Sequence, residues 1–370
     1  MNQRRLPIQI ALAILPILAS LLVTCILILM VGNNPVEVFE KVWEGAFRNS
    51  NSLAGVFNFG IPLTLASLGL IVTFRAGLWN IGVEGQMAMG AVFASWAAQY
   101  VVLPPLLLVP VEILIAMLGG ALWAGLTGLL KTRLGVNEIF GGVALNSLAS
   151  VLTIYLISGP WQPPEGGSAQ STAPFPADAL LPPVSAEFPV SLLALALTAV
   201  ALVAVFLALR GTRWGLELKA TGKNARSALL LGVATERSVL SAFMVCGALA
   251  GIGGAYRVLF TYASLRPLSS GGIGFLALLV VLMVSMRVLL APLVAFIVAA
   301  MFVGSTRLKV VLQLDQSLAG VLQGIIVLFI LLSGGVRERL MGRRQTGEPQ
   351  TTGHEFQPVT PVATEVTPYE

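Results

Sequence analysis

Up to about residue 335 the chain is a succession of apolar runs of roughly twenty residues, separated by short polar stretches. A run of that length is what an α-helix needs to cross the hydrocarbon of a bilayer. The pattern predicts an all-α, polytopic membrane protein of about ten transmembrane helices in a single domain over 1–335. The expected spans are 7–31, 55–74, 86–103, 105–130, 137–158, 189–209, 238–259, 272–287, 289–305 and 311–333. Composition agrees, since 56% hydrophobic residues, 11% charged residues and a mean hydropathy of +0.88 lie outside the range of water-soluble globules. A further segment, 35–45, sets Val36, Phe39 and Trp43 at helical spacing, as in a helix lying in the membrane interface or a short surface helix.

Charge sets the expected orientation. With the N-terminus inside, 16 of the 22 Lys and Arg residues fall in cytoplasmic segments and five outside, with Arg257 within a span. That asymmetry follows the positive-inside bias and makes both termini cytoplasmic. The net charge of +5 and pI near 9.5 then reflect cytoplasmic loops, not nucleic-acid binding. Cys25 and Cys246 lie inside apolar runs and read as core residues, not as a disulfide. The one histidine, His354, lies in the tail, which removes His-based metal sites and Ser-His-Asp chemistry. No enzyme activity and no bound cofactor are expected. A phosphate-binding P-loop is also missing, because Gly222-Lys223 is followed by Asn224 and the position that needs Gly holds Glu217. Any ATP used in transport is hydrolysed by another chain.

Two loops are long. The outside one, 159–189, holds eight prolines and no Lys or Arg, which predicts an extended loop. The inside one, 210–237, is basic and contains a candidate short helix: Asn224 can cap it, 225–231 supply helix formers, and Gly232 can end it. The tail, 336–370, is rich in Thr, Pro and Glu and is expected to be disordered. Gly247, Gly251 and Gly254, and likewise Gly320 and Gly324, have the spacing of close helix packing.

Between two apolar runs, 74–86 reads Phe-Arg-Ala-Gly-Leu-Trp-Asn-Ile-Gly-Val-Glu-Gly-Gln. Gly77, Gly82 and Gly85 here frame Asn80, Glu84 and Gln86. Irregular backbone at membrane depth is tolerated only where protein covers it or it lines a cavity, and transporters use such breaks to present helix ends to substrate. An ordinary cytoplasmic turn with a solvated Glu84 is the other reading. Similarly, Asn137 beside Glu138 caps a helix or lines a pathway, and Asn146 is interhelical polar glue or a pathway residue.

The 74–86 stretch closely resembles the Asn-Ile-Gly-x-Glu-Gly-Gln signature of bacterial ABC-transporter permeases for nucleosides, in the larger group that also imports ribose-like sugars and branched-chain amino acids. Three further stretches agree in order: Gly-Val-Asn-Glu-Ile at 135–139 with Leu145-Asn146, Gly-Pro-Trp at 159–161 before the Pro-rich run, and Ala-Thr-Gly-Lys-Asn-Ala-Arg at 220–226. The chain departs from the pattern at Leu276, where an acid is usual, and at Ser285, where Gly is usual; both bear on substrate more than on fold. The resemblance implies a multi-pass permease subunit in the bacterial plasma membrane, with Trp79, Asn80, Glu84, Gln86, Asn137, Glu138 and Asn146 along the substrate pathway. It implies ATPase coupling through Gly222, Lys223, Asn224, Arg226 and Gly232. The implied partners are an ABC ATPase, a second permease that is usually a different chain, and an extracytoplasmic substrate-binding lipoprotein. The implied substrate is a nucleoside or related riboside, with a simple sugar such as a pentose as the alternative; an ion-driven secondary transporter would need a relay of paired charges within the spans.

Overall fold

The computed structural model describes residues 18–19, 21–30, 32–163 and 170–311. Expectations for 1–17, nearly all of the span at 311–333, Gly320 and Gly324, and the tail lie outside the described residues. Within them all regular structure is helical: α1 Leu21–Met30, α2 Pro35–Phe47, α3 Ser50–Arg75, α4 Val83–Tyr100, α5 Pro105–Leu134, α6 Glu138–Ser158, α7 Leu192–Gly211, α8 Arg213–Lys223, α9 Ala225–Leu230, α10 Thr235–Tyr256, α11 Ile273–Met283 and α12 Ala291–Val311. Six helices among the described residues are long and apolar enough to cross a bilayer: α3, α5, α6, α7, α10 continued by a π-helical turn to Tyr262, and α12 with its preceding turn. α1 and α2 meet at 107°, and α2 packs on α12 and α3 with Val36 and Trp43 exposed.

Burial sorts these helices into centre and rim. The apolar stretch of α3 is 83% buried and that of α10 72%, whereas those of α6 and α7 are only 22% buried. The exposed Leu, Val and Ile of α6 and α7 are therefore left for lipid or for another subunit to cover.

Two expected spans take a different form. The one at 86–103 is α4, which starts at Val83 and is walled in by α5, α6 and α10. A helix enclosed by protein on most sides does not need the bulky apolar surface that lipid demands. Its sequence is accordingly rich in Ala, Gly and Met, and it falls outside the six long apolar helices. The span expected at 272–287 is α11, of 11 residues, about 16 Å and half a membrane. Ser285 and Met286 then adopt positive φ, 49° and 60°, which ends the helix.

α4, α5 and α10 touch backbone to backbone through the small residues whose spacing marked them for packing. A Cβ on Gly247 would run into the Gly120 carbonyl of α5, one on Gly251 into that of Ala116, and one on Gly254 into that of Met87 in α4. Gly247→Val should therefore overpack the centre, costing about 1 to 3 kcal/mol and lowering the melting temperature of the purified protein. Gly211→Ala, which meets no atom within 4 Å, should leave it unchanged; equal melting temperatures for the two variants would contradict this packing.

Candidate functional site

The break between α3 and α4 is built from local chain chemistry. α3 ends in a Schellman turn: Gly77 adopts φ +74°, its N–H donates to Phe74 O, and the Leu78 N–H donates to Thr73 O. The chain then runs extended through Asn80 before α4 begins. Asn80 is fully buried and sits against Cys246, the twelfth of the 22 residues of α10. The break thus folds back into the middle of the bundle instead of lying on its surface, so the ordinary-turn reading fails.

Asn80 and Gln86 form a reciprocal amide pair, each Nδ2 or Nε2 donating to the other's oxygen at 3.0 Å, and Asn80 Nδ2 also donates to the Cys246 thiol at 3.1 Å. Asn146, in the middle of α6, bridges the break from the other side. Its Oδ1 accepts the Gly85 N–H at 2.7 Å and its Nδ2 donates to Ile81 O at 2.9 Å. Gly82 and Gly142 allow this approach, since a Cβ on either would press on the other's backbone.

Glu84 reaches in another direction, to the start of α11. It accepts from Ser270 Oγ at 2.5 Å, Gly272 N–H at 2.9 Å and Gly274 N–H at 2.7 Å. A carboxylate there satisfies the first amides of α11 and complements its dipole. Gly274 is part of the fit, because a Cβ would sit 2.6 Å from Glu84 Oε2. Two helices therefore start inside the bundle, and each start is capped by a side chain from a neighbouring helix.

The other candidate residues form a separate cluster. Asn137 caps α6 through the Ile139 N–H at 2.9 Å. Glu138, 8% exposed, pairs with Lys131 at 2.6 Å and accepts the Trp79 N–H at 3.5 Å. The Trp79 ring lies half exposed beside Phe74, 5.0 Å between centroids. Glu112, fully buried in α5, has no hydrogen-bond partner for either carboxyl oxygen among the described residues.

Sequence reasoning missed part of this site. Arg257, 7% exposed, donates from Nε to Ser269 O and from Nη2 to the Tyr262 hydroxyl, and so anchors the segment that leads from α10 to the residues bound by Glu84. The signal was available: a charge inside an apolar span is costly and marks function or a partner. The Pro-rich loop is laced to the start of the same segment, with Thr172 N–H on Leu265 O, Phe175 N–H on Ala263 O and Leu181 N–H on Leu259 O. Beside them a cavity of about 320 Å³ is lined by Gln170, Tyr262, Arg266, Pro267 and Leu268.

At the opposite end, the inside loop forms two helices where one short helix was expected. Asn224 ends α8 and caps α9, its Oδ1 accepting the Ser227 N–H at 2.9 Å. Gly232 follows α9 with φ +82°. Lys223 and Arg226 are exposed, as are Leu229, Leu230 and Leu231 at the tip. Gly222 lies against the break itself: a Cβ on Gly77 would be 3.0 Å from Gly222 Cα, and one on Gly222 would strike the Arg75 carbonyl.

The sequence profile of the family described as branched-chain amino acid transport system permease component matches residues 52–331. A glucose ABC transporter permease protein of Haloferax volcanii is 30% identical over 86% of each chain. A guanosine ABC transporter permease protein of Bacillus subtilis is 25% identical, over 88% of this chain and 93% of its own. A nucleoside ABC transporter permease protein of Lactococcus lactis is 27% identical over 66% and 70%.

Asn146→Ala should orphan both the Gly85 N–H and Ile81 O, at about 1 to 3 kcal/mol each, and lower the melting temperature of the purified protein. Ser147→Ala, on the exposed side of the same helix, should leave it unchanged. An Asn146→Ala protein as stable as Ser147→Ala would show that the α4 start does not depend on this bridge.

Proposed function

The chain belongs to the family of branched-chain amino acid transport system permease components, and from that premise we propose that it forms the translocation pathway of an importer for nucleosides or related ribosides. It is a multi-pass membrane permease subunit of an ABC transporter and not itself an enzyme, and ATP hydrolysis belongs to a separate ATPase subunit. In the proposed assembly it sits in a bacterial plasma membrane, pairs with a second permease, and receives solute from an extracytoplasmic binding lipoprotein.

The observation that carries the substrate reading is the capping of α4 and α11. A helix start inside a membrane attracts anionic groups, including the carboxylate of an amino acid. Here Asn146 and Glu84 already occupy both starts. A neutral, hydroxyl-rich solute needs hydrogen-bond partners instead of counter-ions, which suits a pathway bordered by Asn, Gln and Trp side chains. The signature at 74–86 and the nucleoside and guanosine permeases among the relatives favour a riboside. The glucose permease of Haloferax volcanii favours the second reading, a simple sugar.

The test is ATP hydrolysis by the reconstituted complex with binding protein loaded, in turn, with individual nucleosides, pentoses and glucose. Stimulation by nucleosides is the expected outcome. Stimulation by sugars alone would replace the first reading with the second.

Coupling is proposed to run through α9, whose exposed Leu229, Leu230 and Leu231 and basic flank suit docking on the ATPase. Replacing 223–232 with a flexible Gly/Ser stretch should leave the protein inserted but abolish uptake, because a flexible linker cannot transmit the motion that a docked helix does. Normal uptake with the ATPase still copurifying would rule this out.

A further inference from the structure

Where α3, α7 and α8 meet the turn before α12, four cations surround one cavity of about 470 Å³: Arg75, Arg210, Lys219 and Arg287. None of the four is in an ion pair among the described residues. The acid nearest in sequence, Glu217, is held by Arg213 at 2.8 Å. Arg75 donates to Met286 O, yet its buried Nε has no partner. Lys219 donates to the Leu209 carbonyl, and Arg210 lies over the Phe206 ring, 5.5 Å from its centroid. Four like charges converging without an acid repel one another, and an anion in the cavity would relieve that repulsion.

The walls indicate which anion. Leu289 and Leu290 line the cavity and are 60% and 39% exposed. The adjacent α7 carries Val203 and Leu207, both more than half exposed, on a helix whose apolar stretch is only 22% buried. A basic chamber thus adjoins a surface made for hydrocarbon. It lies where α3 and α7 end and the next span begins, the depth at which phospholipid phosphates lie.

We propose that this cavity binds the phosphate of an anionic phospholipid of the cytoplasmic leaflet, with the acyl chains lying along α7 and Leu289 and Leu290. The leaflet assignment rests on the orientation used in the proposed function; the lipid chemistry does not. Basic chambers between membrane helices are suited to such headgroups. A bound phosphate would tie the ends of α3 and α7 to α8 and to the turn before α12.

The test uses the full-length protein in phosphatidylcholine nanodiscs with and without phosphatidylglycerol, counting retained lipids by native mass spectrometry. Wild type should retain phosphatidylglycerol over phosphatidylcholine. The double variant Arg210→Gln, Arg287→Gln should weaken that retention by about tenfold or more, at roughly a few-fold per removed cation. Arg133→Gln with Arg237→Gln removes the same charge outside the cavity and should retain it as wild type does. Equal retention by the cavity and control variants, or no preference in wild type, would overturn the proposal. So would inorganic phosphate added to phosphatidylcholine discs displacing bound phosphatidylglycerol, which would identify a free anion as the ligand. A thiol placed at Ser227 in a Cys25→Ser background should react only after cells are permeabilised. Its reaction in sealed cells would overturn the leaflet assignment, whatever the nanodiscs show.

Discussion

A backbone inside hydrocarbon has no water to bond, so every irregular turn in this bundle must find its partners within the protein. The rest of the site follows from how that demand is met at the break. α4 starts at depth only because Asn146 of α6 takes the Gly85 N–H and returns a bond to Ile81 O. α11 starts at depth only because Glu84, on the first turn of α4, takes the amides of Gly272 and Gly274. The two interior starts are therefore linked in series: α6 fixes α4, and α4 fixes α11. Asn80 and Gln86 close the remaining gap with each other and with Cys246, so the break meets α10 through a side chain that composition alone reads as mere core.

The same logic explains why charge is scarce and concentrated. Glu84, Glu138 and Arg257 are the charged groups that organise this region, and each is engaged by several neighbours. Arg257 and Glu84 grip adjacent parts of one segment, at Ser269 and at Ser270 to Gly274. That segment follows α10, and the Pro-rich loop is bonded to its start. The Pro-rich loop, this segment, α4 and α6 are thus joined in sequence by hydrogen bonds.

Much of this was legible in the sequence, for identifiable reasons. Apolar run length located α3, α5, α6, α7, α10 and α12, because a helix that crosses hydrocarbon must be apolar whether lipid or protein surrounds it. The same criterion placed α4 only three residues late at each end but overestimated α11, because half a span resembles a whole one when the apolar residues after it belong to a turn. The glycines and polar residues of 74–86 marked the break, but no spacing rule says that Asn146 and Ser270 belong to it, since the contacts span 61 and 186 residues. Asn137 proved to be a helix cap, as local chemistry allows. Asn224 capped α9 as its position suggested, but it also closed a preceding helix that the mixed polarity of 213–223 had hidden.

The contact between Gly77 and Gly222 joins the end of α3 to α8 with no side chain on either surface. Side chains absorb displacement by changing rotamer, whereas two backbones in contact have almost no such slack. Any shift imposed on α8 is therefore felt at the break nearly undiminished. Thermodynamic linkage makes the relation symmetrical: if the position of α8 alters affinity for a solute at the break, occupancy by that solute must alter the position of α8 by the same free energy. Under the proposed coupling through α9, this joint would report the state of the pathway to the ATPase as well as obey it.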